Sequence, residues 1–136
     1  MKSIAVIGVS ARFPQGNGWQ EIADLLREGR DVVGPISDDR LSKTGIDPTR
    51  PYVEMGYLED IDQFDYRFFQ LSKAEADTMD PTQRLLLQSV YHALENTGRA
   101  PSFYAGTHTS LNVADVNLQY YRLAETFEQT LFTGNL

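Results

Sequence analysis

The sequence predicts an α/β fold, on the evidence of one apolar run, the elements that follow it and the composition. The run SIAVIGV at 3–9 is rich in β-branched residues and has no polar interruption after Ser3, as in strands covered on both faces. A polar loop and an amphipathic helix come next, the order of a βα unit. With 41% hydrophobic and 23% charged residues in 136, the chain has the composition and length of one globular domain. We therefore expect 3–9 to be the central strand of a sheet.

The first helix is expected over about 18–28. Asn17 and Gln20 are spaced as a capping box, and Gly29 is a suitable helix stop. The apolar residues between them recur at helical spacing: Trp19, Ile22, Ala23, Leu25 and Leu26.

An irregular connection is predicted for 30–58, with a short hairpin in it, because prolines and glycines interrupt every periodic pattern there. It is longer than most loops. We expect either a functional excursion or a surface that packs against something else.

Two further helices have clear start signals. Ser72 and Glu75 form a capping box for a short helix. The segment MDPTQRLLLQSVYHALENTG at 79–98 then gives the strongest signal in the chain, since Asp80 can cap, Pro81 suits the first helical position and Gln83 completes a box. The sequence thus predicts a short helix followed by a long one.

The long helix is expected to be buried over much of its circumference and to stop at Gly98. After it, THTSLNVADV at 107–116 alternates weakly and predicts a poor second strand. A last helix is expected over about 116–131. The apolar stripes on which these helix predictions rest are Leu86, Val90, Leu94 and Thr97, widened by Leu85 and Leu87, and then Val116, Tyr120, Leu123, Phe127 and Leu131.

Composition excludes several classes of function. The chain has no cysteine, so it has no disulfide, thiolate nucleophile or cysteine-ligated metal, and it suits a reducing cytoplasm. His92 and His108 are far apart and lack zinc-ligand spacing. The net charge of −7 disfavours nucleic-acid binding. The N-terminal run is too short for a membrane span or a secretory signal, so we expect a cytoplasmic protein without a membrane or nucleic-acid partner.

Three motifs resemble functional sites but lack features that such sites require. Gly8 stands alone, and GNG at 16–18 has no third glycine in register, so a structural turn is favoured over a dinucleotide site. EDIDQFD at 59–65 has carboxylates at alternating positions but lacks the central glycine and terminal glutamate of a calcium loop, which favours a solvated loop with Phe64 anchored in a core. No serine has the context of an activated nucleophile: Ser10, Ser37, Ser42, Ser72, Ser89, Ser102 and Ser110.

Acidic residues concentrate between 54 and 80, where eight Asp or Glu face only Arg67 and Lys73. Two interpretations stay open, a plain solvated face or a docking surface for a basic partner. His92 is expected to be a packed or surface histidine.

Taken together, IAVIGVSARFP, LLREGRD and DIDQFDYRFFQLSKAEADTMDPTQRLLLQSVYHALENTG resemble the opening of a β-ketoacyl synthase, namely the ketosynthase domain of modular polyketide synthases. MDPTQRLLL is similar to that family's MDPQQRLLLE. The resemblance spans Ile4 to Asn135. THTSLNVAD departs from it, because the family has a glycine-rich, apolar strand there.

The resemblance implies a thiolase-like fold of αβαβα type, of which residues 1–136 would form the N-terminal portion only, one truncated domain. It also implies condensation of acyl groups held on an acyl carrier protein, by a cysteine nucleophile and two histidines. His92 and His108 match neither catalytic histidine. We therefore assign no catalytic, cofactor-binding or metal-binding residue here, and we expect no cofactor.

Three functions are compatible with these expectations. The first is a non-catalytic interaction or scaffolding element of a polyketide or related fatty-acyl synthase. The second is the N-terminal piece of a split or truncated synthase that condenses acyl groups only when the missing part is supplied. The third is a small acidic binding domain. The expected partners are synthase subunits or a complementing ketosynthase part, then an acyl carrier protein or a second copy of the chain, because a small sheet leaves unpaired edges.

Overall fold

The structure is a computed structural model that describes residues 3–44, 47, 49–114 and 120. Its regular secondary structure is mostly helical. The elements in order are β1 (Arg12–Phe13), β2 (Gly16–Asn17), α1 (Trp19–Glu28), α2 (Asp38–Thr44), α3 (Lys73–Thr78), α4 (Pro81–Asn96) and a 3₁₀ helix (Pro101–Tyr104).

The two short strands form an antiparallel hairpin that the sequence analysis did not predict. Arg12 pairs with Asn17 and Phe13 with Gly16, so the loop has two residues. Pro14 at its first position and a left-handed Gln15 (φ 61°) at its second are the arrangement of a type II turn. Glycine or asparagine normally takes that second position. Because glutamine stands there instead, the sequence pattern did not indicate a turn.

Helix α1 confirms the helix predicted over about 18–28, but its capping differs. Gly18 occupies the cap position without a side-chain hydrogen bond, so the predicted Asn17–Gln20 box is wrong. The helix begins one residue later than that box requires, and Glu21 instead accepts a hydrogen bond from the backbone N–H of Asn17 at 2.8 Å. Gly29 ends the helix with φ 64°, as predicted.

The connection between α1 and α3 is less irregular than predicted. Helix α2 lies within it, and the Ser37 hydroxyl accepts from the backbone N–H of Arg40 at 3.2 Å, which caps the first turn. In the described part of this connection, an isolated antiparallel bridge between Gly34 and Met55 takes the place of the expected hairpin.

Helices α3 and α4 confirm the two predicted helices. The Ser72–Glu75 capping box is present. The Asp80 carboxylate accepts from the backbone N–H of Thr82 at 2.7 Å, although no bond from Gln83 completes a box within the described residues. Gly98 follows α4 in a left-handed conformation, with φ 73°.

The predicted burial of α4 is wrong. No residue of α4 is fully buried, and Leu87 and Val90 are exposed. The described part of the chain covers the helix only partly, mainly with the N-terminal residues and an aromatic cluster, Phe64, Phe68 and Phe69 around Tyr91.

The two predicted strands are also wrong for the described residues. Neither 3–9 nor 107–114 is a strand, and most of their apolar side chains are exposed. A strand needs neighbouring strands to pair with, and the element beside 3–9 is α4, whose backbone groups already bond within the helix.

Burial is correspondingly limited. Leu25 and Ala76 are the buried apolar residues of the described part, at 8% and 6% exposure. Gly16 packs on Ile22 and Leu25, which fixes the hairpin to α1. The helix predicted over 116–131 lies outside the described residues except for Tyr120, which is helical. Within the described chain, the helices are too short or too polar to cross a bilayer.

Candidate docking surface

The most exposed apolar surface of the described chain is the stretch 4–9, called here the N-terminal segment. Ile4 is 95% exposed, Val6 86% and Ile7 64%. Apolar side chains grouped in this way on a surface are typical of interaction sites. The segment is therefore the first candidate for a functional surface.

One end of the N-terminal segment is fixed to α4. Gly8 lies so close to the helix that a Cβ there would be 2.3 Å from the carbonyl oxygen of Ala93 and 2.8 Å from Cγ2 of Thr97. The backbone N–H of Val9 donates a hydrogen bond to Oδ1 of Asn96 at 3.0 Å. Glycine is thus required at position 8 by close approach, since the neighbouring atom at 2.3 Å belongs to the backbone.

Within the part of the chain that the structure describes, most of the segment's backbone has no hydrogen-bond partner. Among the described residues, no backbone–backbone hydrogen bond involves residues 4–8. An extended apolar stretch with free N–H and C=O groups is a template for addition of another strand. Its side chains and its backbone therefore favour the same kind of partner, an extended polypeptide.

A cavity of about 430 Å³, called here the hairpin cleft, adjoins this surface. Its walls come from the end of the N-terminal segment, the hairpin, the start of α1 and one face of α4. None of the lining residues is a carboxylate: Val9, Ser10, Ala11, Arg12, Asn17, Gly18, Trp19, Gln20, Leu85, Gln88, Ser89, His92 and Asn96. His92 is thus a surface histidine at the cleft, one of the two places expected for it.

Part of the acidic region, Glu59 to Asp62, lies beside α2. Lys43 forms an ion pair with Asp39 at 2.8 Å. The hydrogen bond to Asp39 raises the pKa of Lys43, and the charges of Asp39, Asp62 and Asp60 raise it further. These groups line a cavity of about 200 Å³ together with Glu59, whose carboxylate accepts from the Ser37 hydroxyl at 2.9 Å. Among the described residues, Asp39 is therefore paired with a cation and Glu59 accepts a neutral hydrogen bond.

The carboxylates of the calcium-like motif at 59–65 do not all lie together, because Asp65 is absent from the cavity that Glu59, Asp60 and Asp62 line. Asp65 accepts from the backbone N–H of Phe68 at 3.0 Å, and Phe64 stacks on Phe69 with ring centroids 5.1 Å apart. Within the described residues, no group of three or more His, Cys, Asp or Glu side chains could hold a metal ion. Phe64 therefore packs as the sequence analysis expected.

The structure also shows where several of the serines and His108 lie. Ser72 and Ser37 cap helices, Ser10 and Ser89 line the hairpin cleft, and His108 is exposed. Sequence reasoning missed the hairpin cleft, because the residues that line it come from distant parts of the chain. Pro14 was a sequence signal that could have indicated the turn of the hairpin beside the cleft.

Comparison with known proteins identifies a family for this arrangement. The family model described as "Beta-ketoacyl synthase, N-terminal domain" matches residues 1–133. The chain is similar to the non-reducing polyketide synthase nvfA of Aspergillus novofumigatus, 42% identical over 118 residues, which are 85% of this chain and 5% of that protein. It is also similar to the polyketide synthase PksM of Bacillus subtilis, 40% identical over 98 residues, 70% of this chain and 2% of that protein. The chain thus spans a small fraction of the length of these relatives.

Solved ketosynthases have a similar backbone course over part of this chain. The OzmH KS7 oxazolomycin ketosynthase domain of Streptomyces albus JA3453 is 34% identical with a TM-score of 0.62, over 74% of this chain and 18% of that one. The module 6 ketosynthase of the Bacillus subtilis bacillaene synthase is 36% identical with a TM-score of 0.56, over 67% and 16%. The predicted fold, an N-terminal portion of a thiolase-like α/β domain, is confirmed by these likenesses.

Proposed function

Because this chain belongs to the β-ketoacyl synthase N-terminal domain family, we propose that it acts in polyketide biosynthesis as a non-catalytic interaction or scaffolding element. The observation that carries the proposal is the N-terminal segment, which is apolar, exposed and unpaired among the described residues, yet fixed to α4 at Gly8 and Val9. Its proposed partner is the complementary part of a ketosynthase.

The chemistry of the family supports a non-catalytic role. The resemblance implies a cysteine nucleophile, and the 136 residues contain no cysteine. Condensation would therefore need a cysteine from another polypeptide or from residues outside these 136. The role proposed for this part of the fold is to bind, in a reducing cytoplasm that suits its composition.

Docking at the N-terminal segment is energetically reasonable. Burying an isoleucine or valine side chain that is otherwise exposed contributes about 1.5–3 kcal/mol. Ile4, Val6 and Ile7 are all largely exposed, so a strand that covers them can offset part of the entropy lost on association. A second copy of the chain or an acyl carrier protein are the competing partners.

A second function is favoured by the likeness to catalytic relatives. The backbone follows the oxazolomycin ketosynthase over 74% of this chain with a TM-score of 0.62. A chain with this course can complete a ketosynthase whose other part holds the cysteine and both histidines. In that case it is the N-terminal piece of a split or truncated synthase, active in decarboxylative condensation once complemented.

The test is reconstitution. The chain is mixed with the part of the Bacillus subtilis module 6 ketosynthase that follows the region matched here, and complexes are measured by size-exclusion chromatography with light scattering and by native mass spectrometry. The proposal expects a 1:1 complex. If the two polypeptides elute separately and only monomers or dimers of each are found, the proposal is wrong.

Variants locate the interface. Val6→Lys places a charge in the N-terminal segment and is expected to abolish the complex. Val53→Lys is the matched control, because Val53 is also exposed, at 75%, but lies outside the segment. Equal loss of binding in both variants would contradict docking through the N-terminal segment.

The same mixture separates the two functions. With acyl carrier protein loaded with acyl and extender groups, a complex without condensation supports the non-catalytic role. Acylation of the partner's cysteine followed by condensation supports the complemented synthase.

A further inference from the structure

We propose that the hairpin cleft binds an extended, acidic polypeptide segment, with a carboxylate of that segment held by Arg12. This inference rests on the proposed function, because it names the chemistry of a partner that docks beside the N-terminal segment. It concerns a second surface, formed by side chains rather than by a free strand edge.

The charge of the cleft is opposite to that of the chain. The protein carries a net charge of −7, yet the cleft lining contains no Asp or Glu and does contain the cation Arg12. Most of the protein surface repels a negatively charged partner segment, whereas the hairpin cleft attracts it. Charge complementarity therefore favours an acidic occupant.

Arg12 is the group that would recognise it. The guanidinium donates to the backbone carbonyl oxygen of Glu59 at 2.7 Å, a neutral acceptor. The ion pairs of the described residues involve Arg27, Arg30, Lys43 and Lys73, so Arg12 has no carboxylate partner among them. Arg12 is half-buried and lines both the hairpin cleft and a neighbouring cavity of about 240 Å³. A guanidinium in this position retains donors for a carboxylate.

The other lining groups suit a peptide backbone. The side chains of Asn17 and Gln20 make no hydrogen bond to any described residue, and each carries a donor and an acceptor for peptide N–H and C=O groups. Val9 belongs to both the N-terminal segment and the cleft. A strand paired along the segment would therefore continue into the cleft, so one extended polypeptide would occupy both surfaces.

Trp19 makes the proposal directly testable. It is the single tryptophan of the chain, it lines the cleft and it is 51% exposed. The whole chain is titrated with a capped pentapeptide that has valine, aspartate and valine at its centre. The expected result is a shift of Trp19 emission to shorter wavelength with protection from acrylamide quenching.

Two comparisons test the role of charge. Asparagine in place of the peptide's aspartate is expected to weaken binding about tenfold, as is Arg12→Gln, because each removes one charge-assisted interaction. Arg27→Gln is the matched control and is expected to leave the affinity unchanged, since Arg27 is exposed and paired with Asp24. The asparagine peptide keeps the test valid if Arg12→Gln unfolds the chain, because the protein is then unaltered.

Three results would overturn the inference: Trp19 emission that does not respond to millimolar peptide, equal affinity for the two peptides, or displacement of the peptide by inorganic phosphate at equal concentration, which would indicate a general anion site. None of them bears on the proposed function, which is measured by complex formation at the N-terminal segment.

Discussion

The backbone N–H of Val9 and the side chain of Asn96, 87 positions apart in the chain, are joined by a hydrogen bond of 3.0 Å. Asn96 is the last residue of α4, so this bond ties the N-terminal segment to the end of the longest described helix. With the close approach of Gly8 to Ala93, it determines where the exposed apolar side chains stand.

Replacing Asn96 with alanine is expected to release the segment. The substitution removes the acceptor of the Val9 N–H, which should lower the free energy of unfolding by about 0.5–1.5 kcal/mol. Hydrogen exchange at the Val9 amide, followed by NMR, should accelerate. Asn17→Ala is the control, because the Asn17 side chain makes no hydrogen bond to a described residue. An unchanged Val9 exchange rate would contradict the anchoring role of Asn96.

Gly8→Ala is expected to destabilise the contact between the segment and α4. Its Cβ would meet the carbonyl oxygen of Ala93 at 2.3 Å, so either the segment or the helix must move. Overpacking of this kind costs about 1–3 kcal/mol. Urea unfolding measures it as a lower midpoint at constant slope. Gly34→Ala, where no atom lies within 4 Å of the added Cβ, should change the midpoint far less.

Ser72→Ala is expected to weaken α3. The Ser72 hydroxyl accepts from the backbone N–H of Glu75 at 3.2 Å, and loss of such a cap costs about 1 kcal/mol. Circular dichroism at 222 nm with thermal unfolding detects the loss. Ser110→Ala is a neutral control, since Ser110 is exposed and makes no hydrogen bond within the described chain. Equal thermal midpoints for the two variants would show that the cap does not stabilise the chain.

The same cap predicts a pH dependence. Glu75 accepts from the backbone N–H of Ser72 at 2.8 Å, and this bond, followed by the side-chain bond to Ser72, lowers the pKa of Glu75 below its ordinary value of 4.5. A folded-state pKa below the unfolded one stabilises the fold above the unfolded value, and that stabilisation is lost as pH falls through the folded value.

Glu75→Gln isolates this contribution. The difference in unfolding free energy between wild type and variant should be constant well above pH 4.5 and shrink as the pH falls through and below that value. Urea unfolding across this range measures it. Glu54→Gln serves as control, because Glu54 accepts no hydrogen bond from a described residue. A difference that grows on acidification would reverse the predicted sign.

The helices could be predicted because their signals are local. Ser72 with Glu75, Asp80 with Pro81, and Gly29 each act within a few residues of where they stand, and the structure shows them at helix ends. Helix α2 was missed although Ser37 caps it, because the prolines and glycines around it dominated the pattern.

The strand predictions were wrong and the hairpin cleft was missed because both depend on residues that are far apart in the sequence. SIAVIGV has strand composition, but composition does not supply neighbouring strands, and the described chain places α4 beside it instead. The hairpin cleft joins Arg12 to His92 and Trp19 across the fold, and no spacing in the sequence encodes that proximity. The family resemblance succeeded where periodicity failed, because it rests on two motif blocks in order.

The anchor at Val9 has a consequence for any strand that adds to the N-terminal segment. Side chains along a strand alternate between its two faces, so a shift of one position would exchange the apolar and polar faces of the added strand. Because Val9 is fixed to Asn96 and Gly8 to the α4 backbone, the docking edge cannot slide along the helix. A strand that added to this edge would therefore meet apolar side chains whose positions along α4 are already fixed.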